Sequence, residues 1–278
     1  MAVVSAFDGT TDRLLGEAAR LGAGRDTVCR EGAGSLAHSM AEGGGSDSGS
    51  RRCASGNDRC GPFHGLEDRG SESGRGTPTG ADPAALAMLL ATGEFTTAAK
   101  LGLALSGRGV ACRVLGPAAL GLRTRGGGQD ADPGAIDVVA LRRSREACPV
   151  CVVPGFIALD PEGHLCTLGR GGSDLTALFV AAECGAGRCR LIKDVDGVYD
   201  ADPNAAGSGA RRYERLRWED ALRLDGGIVQ HKAVRLAERR GLAFEVGAWG
   251  REDVTVVGAA ASRLYGEAAC RGEAVAVG

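Results

Sequence analysis

Leu168-Gly169-Arg170-Gly171-Gly172-Ser173-Asp174 places three glycines, a guanidinium and a carboxylate where a β-rich stretch meets a helical pattern. Backbone N–H groups at such a corner face outward, no side chain blocks a close approach, and the helix N-terminus favours negative charge. Arg170 adds a planar fork suited to a carboxylate or phosphate. The other reading is a glycine-rich turn leading to an ordinary helix cap at Ser173 or Asp174. Neither the G-x-G-x-x-G dinucleotide fingerprint nor the Gly-Lys of a Walker loop occurs, which disfavours those two nucleotide folds. The second segment is Lys193-Asp194-Val195-Asp196-Gly197-Val198-Tyr199-Asp200-Ala201-Asp202-Pro203. A strand-like run enters paired acids, a glycine turn and an Asp-Pro stop, and in open α/β sheets ligands bind beyond such strand ends. Those acids could hold Mg²⁺ indirectly or anchor the loop; alternatively they make an acid-rich turn.

Other candidates are weaker. Cys53 and Cys60 with His38 and His64 match no common zinc spacing, and no metal ligand set is assigned. Cys148-Pro149-Val150-Cys151 is a lone C-x-x-C at a strand start and reads as core cysteines, as do Cys112 and Cys189. His231 heads a helix as a cap or surface residue, His164 sits in a solvated turn, and Arg142-Arg143-Ser144-Arg145 is a solvated helix end.

The elements that position these segments alternate. Ala2–Phe7 reads as a short strand, and Thr11–Leu21 as a helix with Leu14, Leu15, Ala18 and Leu21 on one face. Asp82-Pro83 is an N-cap with proline at the first helical position, opening one or two helices to Ser106 with an interruption near Thr92-Gly93-Glu94. Strands are expected at 110–115, 150–159, 189–193 and 242–246, and helices at 173–184, 218–224 and 229–240. Weak strands are expected at 254–257 and 274–277. The alternation predicts an α/β fold, a three-layer αβα sandwich with a mainly parallel central sheet. Residues 31–80 hold 13 glycines and 8 serines but only two residues of the Ile, Leu and Val class, Leu36 and Leu66, so they are expected to be flexible.

The 278 residues fit one large α/β domain or two small ones. With 33 basic and 35 acidic side chains, the balance argues against a dedicated nucleic-acid or membrane-surface binder. No apolar run approaches the roughly 18 residues of a membrane span, and the N-terminus lacks an export signal, so a soluble, cytoplasmic protein is expected. Only Lys100, Lys193 and Lys232 are lysines, so any step needing one chooses among three.

Taken together and in this order, the two segments resemble the kinase domain of aspartate kinases, in the amino-acid kinase superfamily. Val3-Val4-Ser5-Ala6-Phe7 with Thr11-Asp12-Arg13-Leu14-Leu15 is similar to that family's second strand and following helix. Leu89-Leu90-Ala91-Thr92-Gly93-Glu94 resembles its L-x-x-T/S-G-E segment, and Pro154-Gly155-Phe156 its A/P-G-F strand end. The uridylate kinase branch shares the D-V-D-G-V-Y segment but lacks G-R-G-G-S-D. The resemblance covers about 1–22 and 82–250. It implies transfer of the γ-phosphoryl of Mg-ATP to the β-carboxylate of L-aspartate, the first step towards lysine, threonine and methionine. It also implies a homodimer. Arg170, Glu94 and Ser5 would bind aspartate, while Gly171, Gly172, Ser173 and Asp174 would shape the pocket, with Asp174 and Arg170 at the reacting end. Lys193, Asp194, Tyr199, Asp202 and Pro203 would line the adenine and ribose side of ATP, with Ile228 and Val229.

Three departures from the family follow. Its opening K-F-G-G-T-S strand and loop holds the ATP phosphates; this chain starts about 30 residues later, and that strand would be central in the sheet. Asn204 stands where the family has arginine. In Gly226-Gly227-Ile228-Val229-Gln230-His231-Lys232, Ile228 stands where the family has lysine, and Lys232, one helical turn on, could compensate only in part and is not expected to. Weak or absent catalysis by this chain alone is expected. The domain is read as 1–258 with a 259–278 tail, too short for a further regulatory ACT domain.

Overall fold

The computed structural model describes residues 1–4, 10, 13–17, 82–203, 205 and 209–266. Contacts group the chain into two units, 1–14 with 82–278 and 15–81, and the first contains every described strand. The 31–80 stretch, Ser5, Asn204 and the 274–277 strand lie outside the described residues. Residues 13–17 are helical, with Leu14 buried.

Strand β1 (Ala2–Val4) is followed by α1 (Pro83–Ser106), whose N-cap Asp82 accepts from the Ala84 N–H at 3.0 Å. Helix α1 runs through Thr92-Gly93-Glu94 without the expected interruption. A mid-helix glycine costs about 1 kcal/mol against alanine, and here Gly93, Glu94 and Ala98 are all buried, in a helix that packs on β1 and on the strands Cys112–Val114 and Val150–Pro154. Packing outweighs local propensity. Next come β2 (Cys112–Val114), the short α2 (Pro117–Leu120), β3 (Arg123–Thr124) and β4 (Pro133–Ala135). Helix α3 (Val138–Ala147) then carries Arg142, Arg143 and Arg145.

The single strand expected over 150–159 is two, β5 (Val150–Pro154) and β6 (Ile157–Leu159), which join different sheets. Phe156 between them sits at φ 67, a conformation a bulky residue adopts at a sharp turn held by its surroundings. Its N–H donates to Thr176 Oγ1 at 3.2 Å, and its carbonyl accepts from Leu168 N–H at 2.8 Å. Strand β7 (Leu165–Thr167) leads into the glycine corner and α4 (Gly172–Glu183). The chain closes through β8 (Arg190–Lys193), β9 (Tyr213–Arg217), α5 (Trp218–Ala221) and α6 (His231–Arg240). Strands β10 (Phe244–Ala248), β11 (Thr255–Gly258) and β12 (Arg263–Leu264) complete it, the last pairing with β9 beyond residue 258.

Hydrogen bonding divides the strands into three sheets, ordered β1-β5-β2, β12-β9-β11-β10-β8 and β4-β3-β6-β7. The first is wholly parallel, and the second carries parallel pairs β8–β10 and β9–β11. Antiparallel pairs join β10 to β11, β12 to β9, β3 to β4 and β6 to β7. The fold is α/β, with mainly parallel sheets flanked by helices. Central β5 reads as a near-continuous apolar run because Cys151–Pro154 are buried, as a strand covered on both faces requires. Helices α4 and α6 pack together, and Phe179, Val180, Ala233 and Ala237 belong to the main core. Among the described residues, β1 and β8 each end a sheet, and both line one large cleft. Among them too, no helix is long and apolar enough to cross a membrane. The described cysteines are free thiols, with Cys151 and Cys166 buried in the core.

Candidate functional site

The glycine corner is built by β7 delivering Leu168 into the core, after which Gly169 (φ 74) and Gly171 (φ 72) turn the chain into α4. The cap is Gly171 itself, in the left-handed region, rather than Ser173 or Asp174. A Cβ on Gly171 would lie 2.5 Å from Gln230 Cγ, so only glycine fits both the turn and its neighbour. Gly172 is buried against Phe156 and Leu168, and Thr176 Oγ1 donates to its carbonyl at 2.8 Å. Phe156 and Thr176 thus brace the corner from beneath. Sequence reasoning assigned no role to Thr176, which reads as one more small residue of a helix.

Asp174, in the first turn of α4, faces Lys193 at the end of β8. The ammonium Nζ donates to Oδ1 at 2.9 Å and to Oδ2 at 2.7 Å. Burial pushes the Asp174 carboxyl above its ordinary range, and the Lys193 charge and hydrogen bonds counter that only in part. A cleft of about 900 Å³ gathers this pair with Glu94, Arg170, Gly171, Gly172 and Ser173. Glu94 is 2% exposed in the middle of α1, whereas Arg170 is exposed at the cleft mouth. The cleft therefore carries an exposed guanidinium, a buried carboxylate, a helix N-terminus and an ammonium–carboxylate pair. Such a set suits a small zwitterion with an extra acid group beside an anion.

The acid-rich loop lines a second cavity of about 460 Å³. Tyr199, Asp202, Pro203, Ile228 and Val229 lie on its wall, over a floor that includes Leu216, Val234 and Phe244. Lys193 belongs to the cleft with Asp174 and does not line this cavity, and exposed Asp194 lines neither. The Tyr199 hydroxyl donates to Asp196 Oδ1 at 2.8 Å, and that bond holds the phenol above its ordinary pKa.

Lys232 does not reach the cavity. Its Nζ donates to Asp130 Oδ1 at 2.8 Å, to the carbonyls of Asp130 and Ala131 at 3.0 Å each, and to that of Leu168 at 3.3 Å. An ammonium has three protons, so this lysine is saturated as a tie between α6 and the corner and does not compensate for Ile228. His231 Nε2 sits 2.7 Å from the Leu224 carbonyl, a local brace at the head of α6. His164 is exposed beside Asp160 at 3.3 Å. Among the described residues, no group of three His, Cys, Asp or Glu side chains could hold a metal ion.

With this geometry in view, the relatives are informative. The sequence profile described as the amino acid kinase family matches residues 2–245. The aspartate kinase of Pseudomonas fluorescens is 35% identical over 167 residues, 59% of this chain and 40% of that protein. An aspartokinase of Thermus thermophilus is 33% identical over 164 residues, 58% of this chain and 40% of that one. The chain thus spans about two-fifths of the length of these relatives. E. coli aspartokinase III, solved in complex with aspartate and ADP, shares the fold with a TM-score of 0.61 at 22% identity, over 93% of this chain and 57% of that one. The chain belongs to the amino acid kinase family.

Proposed function

We propose that this domain is aspartate kinase-like, binding ATP and L-aspartate for transfer of the γ-phosphoryl group to the β-carboxylate. The observation that carries the reading is the convergence of Glu94, Arg170, the α4 N-terminus and the Asp174–Lys193 pair in one cleft. Arg170 would fork onto a carboxylate and Glu94 would accept from the amino group. The first-turn N–H groups of α4 would face the acceptor carboxylate and the incoming phosphoryl group. Asp174 would keep the Lys193 ammonium aimed where negative charge gathers during transfer, a reaction that depends mainly on alignment and neutralisation. The apolar floor of the neighbouring cavity suits an adenine ring, with Asp202 within reach of a ribose hydroxyl. Mg²⁺, when bound, would neutralise the polyphosphate; Asp196, Asp200 and Asp202 are the acids nearest that loop, suited to holding it through water rather than in a closed protein cage.

Titration calorimetry of the 278-residue chain with Mg-ATP and with L-aspartate tests the reading. Binding of each at one site is expected, and binding of neither would end it. Aspartyl phosphate, trapped as the hydroxamate, is expected at background level, because Ile228 offers no charge and Lys232 is engaged elsewhere. Those two residues favour the second reading, a binding or regulatory homologue that does not turn over.

The Ile228 position gives a gain-of-function check. Ile228→Lys places an ammonium on the wall of the 460 Å³ cavity. One charge-assisted bond to a phosphate is worth about 1.5–3 kcal/mol. ATP affinity should therefore rise about tenfold or more, with aspartate affinity unchanged. An unaltered ATP isotherm would show that this wall does not face the polyphosphate.

A further inference from the structure

The acid-rich loop stands on a side chain that the functional reading leaves unused. Arg212, just before β9, has a side chain 11% exposed and passes directly under the loop. Its Nη1 donates to the Asp196 carbonyl at 2.9 Å, to Asp196 Oδ2 at 3.2 Å and to the Asp253 carbonyl at 3.2 Å. Its Nη2 donates to Asp253 Oδ2 at 2.9 Å, and the guanidinium lies 4.3 Å over the Tyr265 ring. The stem is equally close: a Cβ on Gly197 would lie 2.6 Å from Arg212 Cδ. The loop therefore rests on the arginine at Asp196 and Gly197, and glycine at 197 permits the approach.

We propose that Arg212 is a positioning residue for the nucleotide cavity, holding Asp196–Tyr199 in the shape that forms its wall. The chain of contacts is short. Asp196, fixed by Arg212 through one carboxylate oxygen, receives the Tyr199 hydroxyl on the other at 2.8 Å. Tyr199 in turn lines the cavity beside Val198. Backbone bonds hold Val198 independently, through Thr255 Oγ1 at 2.9 Å and Tyr213 N–H at 2.8 Å. Arg212 governs the Asp196 and Tyr199 end. A lysine cannot reproduce this, because a point ammonium lacks the fork that spans Asp196 and Asp253 together.

The inference rests on the nucleotide reading of the cavity, so its test has one readout that needs no ligand. Hydrogen exchange over residues 195–199 is compared in the 278-residue wild type, Arg212→Met and Arg212→Lys. Calorimetry follows with ATP and, separately, with L-aspartate. In Arg212→Met, exchange over 195–199 should quicken while β10 stays protected, and the ATP dissociation constant should rise about tenfold. The aspartate constant should stay within about twofold, and Arg212→Lys should fall between. Unchanged exchange in a folded Arg212→Met protein would overturn the proposal, as would equal quickening over β10, which marks general loosening. If Arg212→Met does not fold, Asp253→Ala removes the carboxylate that anchors Nη2 and leaves only the backbone carbonyl bond, so it should give the same pattern at smaller amplitude; exchange no faster than wild type there would also overturn it. Failure of the wild type to bind ATP would sink the nucleotide reading, and exchange alone would then decide whether Arg212 sets the loop.

Discussion

Lys193→Met is expected to lower the unfolding free energy by about 2–3 kcal/mol at pH 8, and by clearly less at pH 5. Asp174 and Lys193 have side chains 15% and 22% exposed, so breaking the pair leaves a largely desolvated carboxylate. Removing one partner of a fully buried pair costs about 3–5 kcal/mol, and the residual exposure reduces that figure. Methionine keeps most of the apolar stem, which isolates the charge. Burial already raises the Asp174 carboxyl despite the ammonium beside it, and without the ammonium it rises further. The sign follows from linkage. An acid raised in the folded state contributes stability that is present below its unfolded value, about 4, and is lost as pH rises through the folded one. Urea midpoints at the two pH values check this. An equal loss at both would point to packing alone, and adding Asp174→Asn should abolish the pH dependence.

Gly171→Ala should have the second largest effect. At φ 72 a Cβ costs about 1–2 kcal/mol of backbone strain, and here it would also meet Gln230 Cγ at 2.5 Å and Cβ at 2.7 Å. Relieving that overlap moves either the corner or the head of α6, adding about 1–3 kcal/mol. L-aspartate binding is expected to weaken about tenfold or more, because the displaced turn carries Arg170 and the first N–H groups of α4. Gly241→Ala is the control. Gly241 has φ 61 but no atom within 4 Å of its added Cβ, and it lines neither the cleft nor the cavity, so it carries backbone strain alone. Similar aspartate isotherms for the two variants would remove the corner from the binding site.

Much of the scaffold was legible because local signals and tertiary packing agree there. Asp82-Pro83 does cap α1, the periodic 173–184 segment is α4 within a residue, the apolar run before Gly155 is β5, and the strand expected before Asp194 is β8. The misreadings lie where packing overrides local preference. Gly93 suggested a break, yet it lies buried within an unbroken α1. Phe156 looked like one more strand residue, and its left-handed backbone is set by Thr176, twenty residues away. Strands β3, β4 and β12 are too short to show periodicity, and β9 is rich in arginine. At the site, the glycine and acid segments were recognisable as neighbours in sequence. Which lysine faces which acid was not, since the Lys193–Asp174 and Lys232–Asp130 pairs are made by chain crossings with no periodic trace.

The outer flanks of β1 and β8, which no described strand covers, bear on how the molecule behaves in a crowded solution. Among the described residues each ends its sheet, and Ile192 on β8 is 50% exposed. A net charge of only −2 supplies little mutual repulsion to keep such seams apart. An uncovered strand edge is a template for pairing with another chain, so light scattering that rises with protein concentration is the expected sign of such pairing.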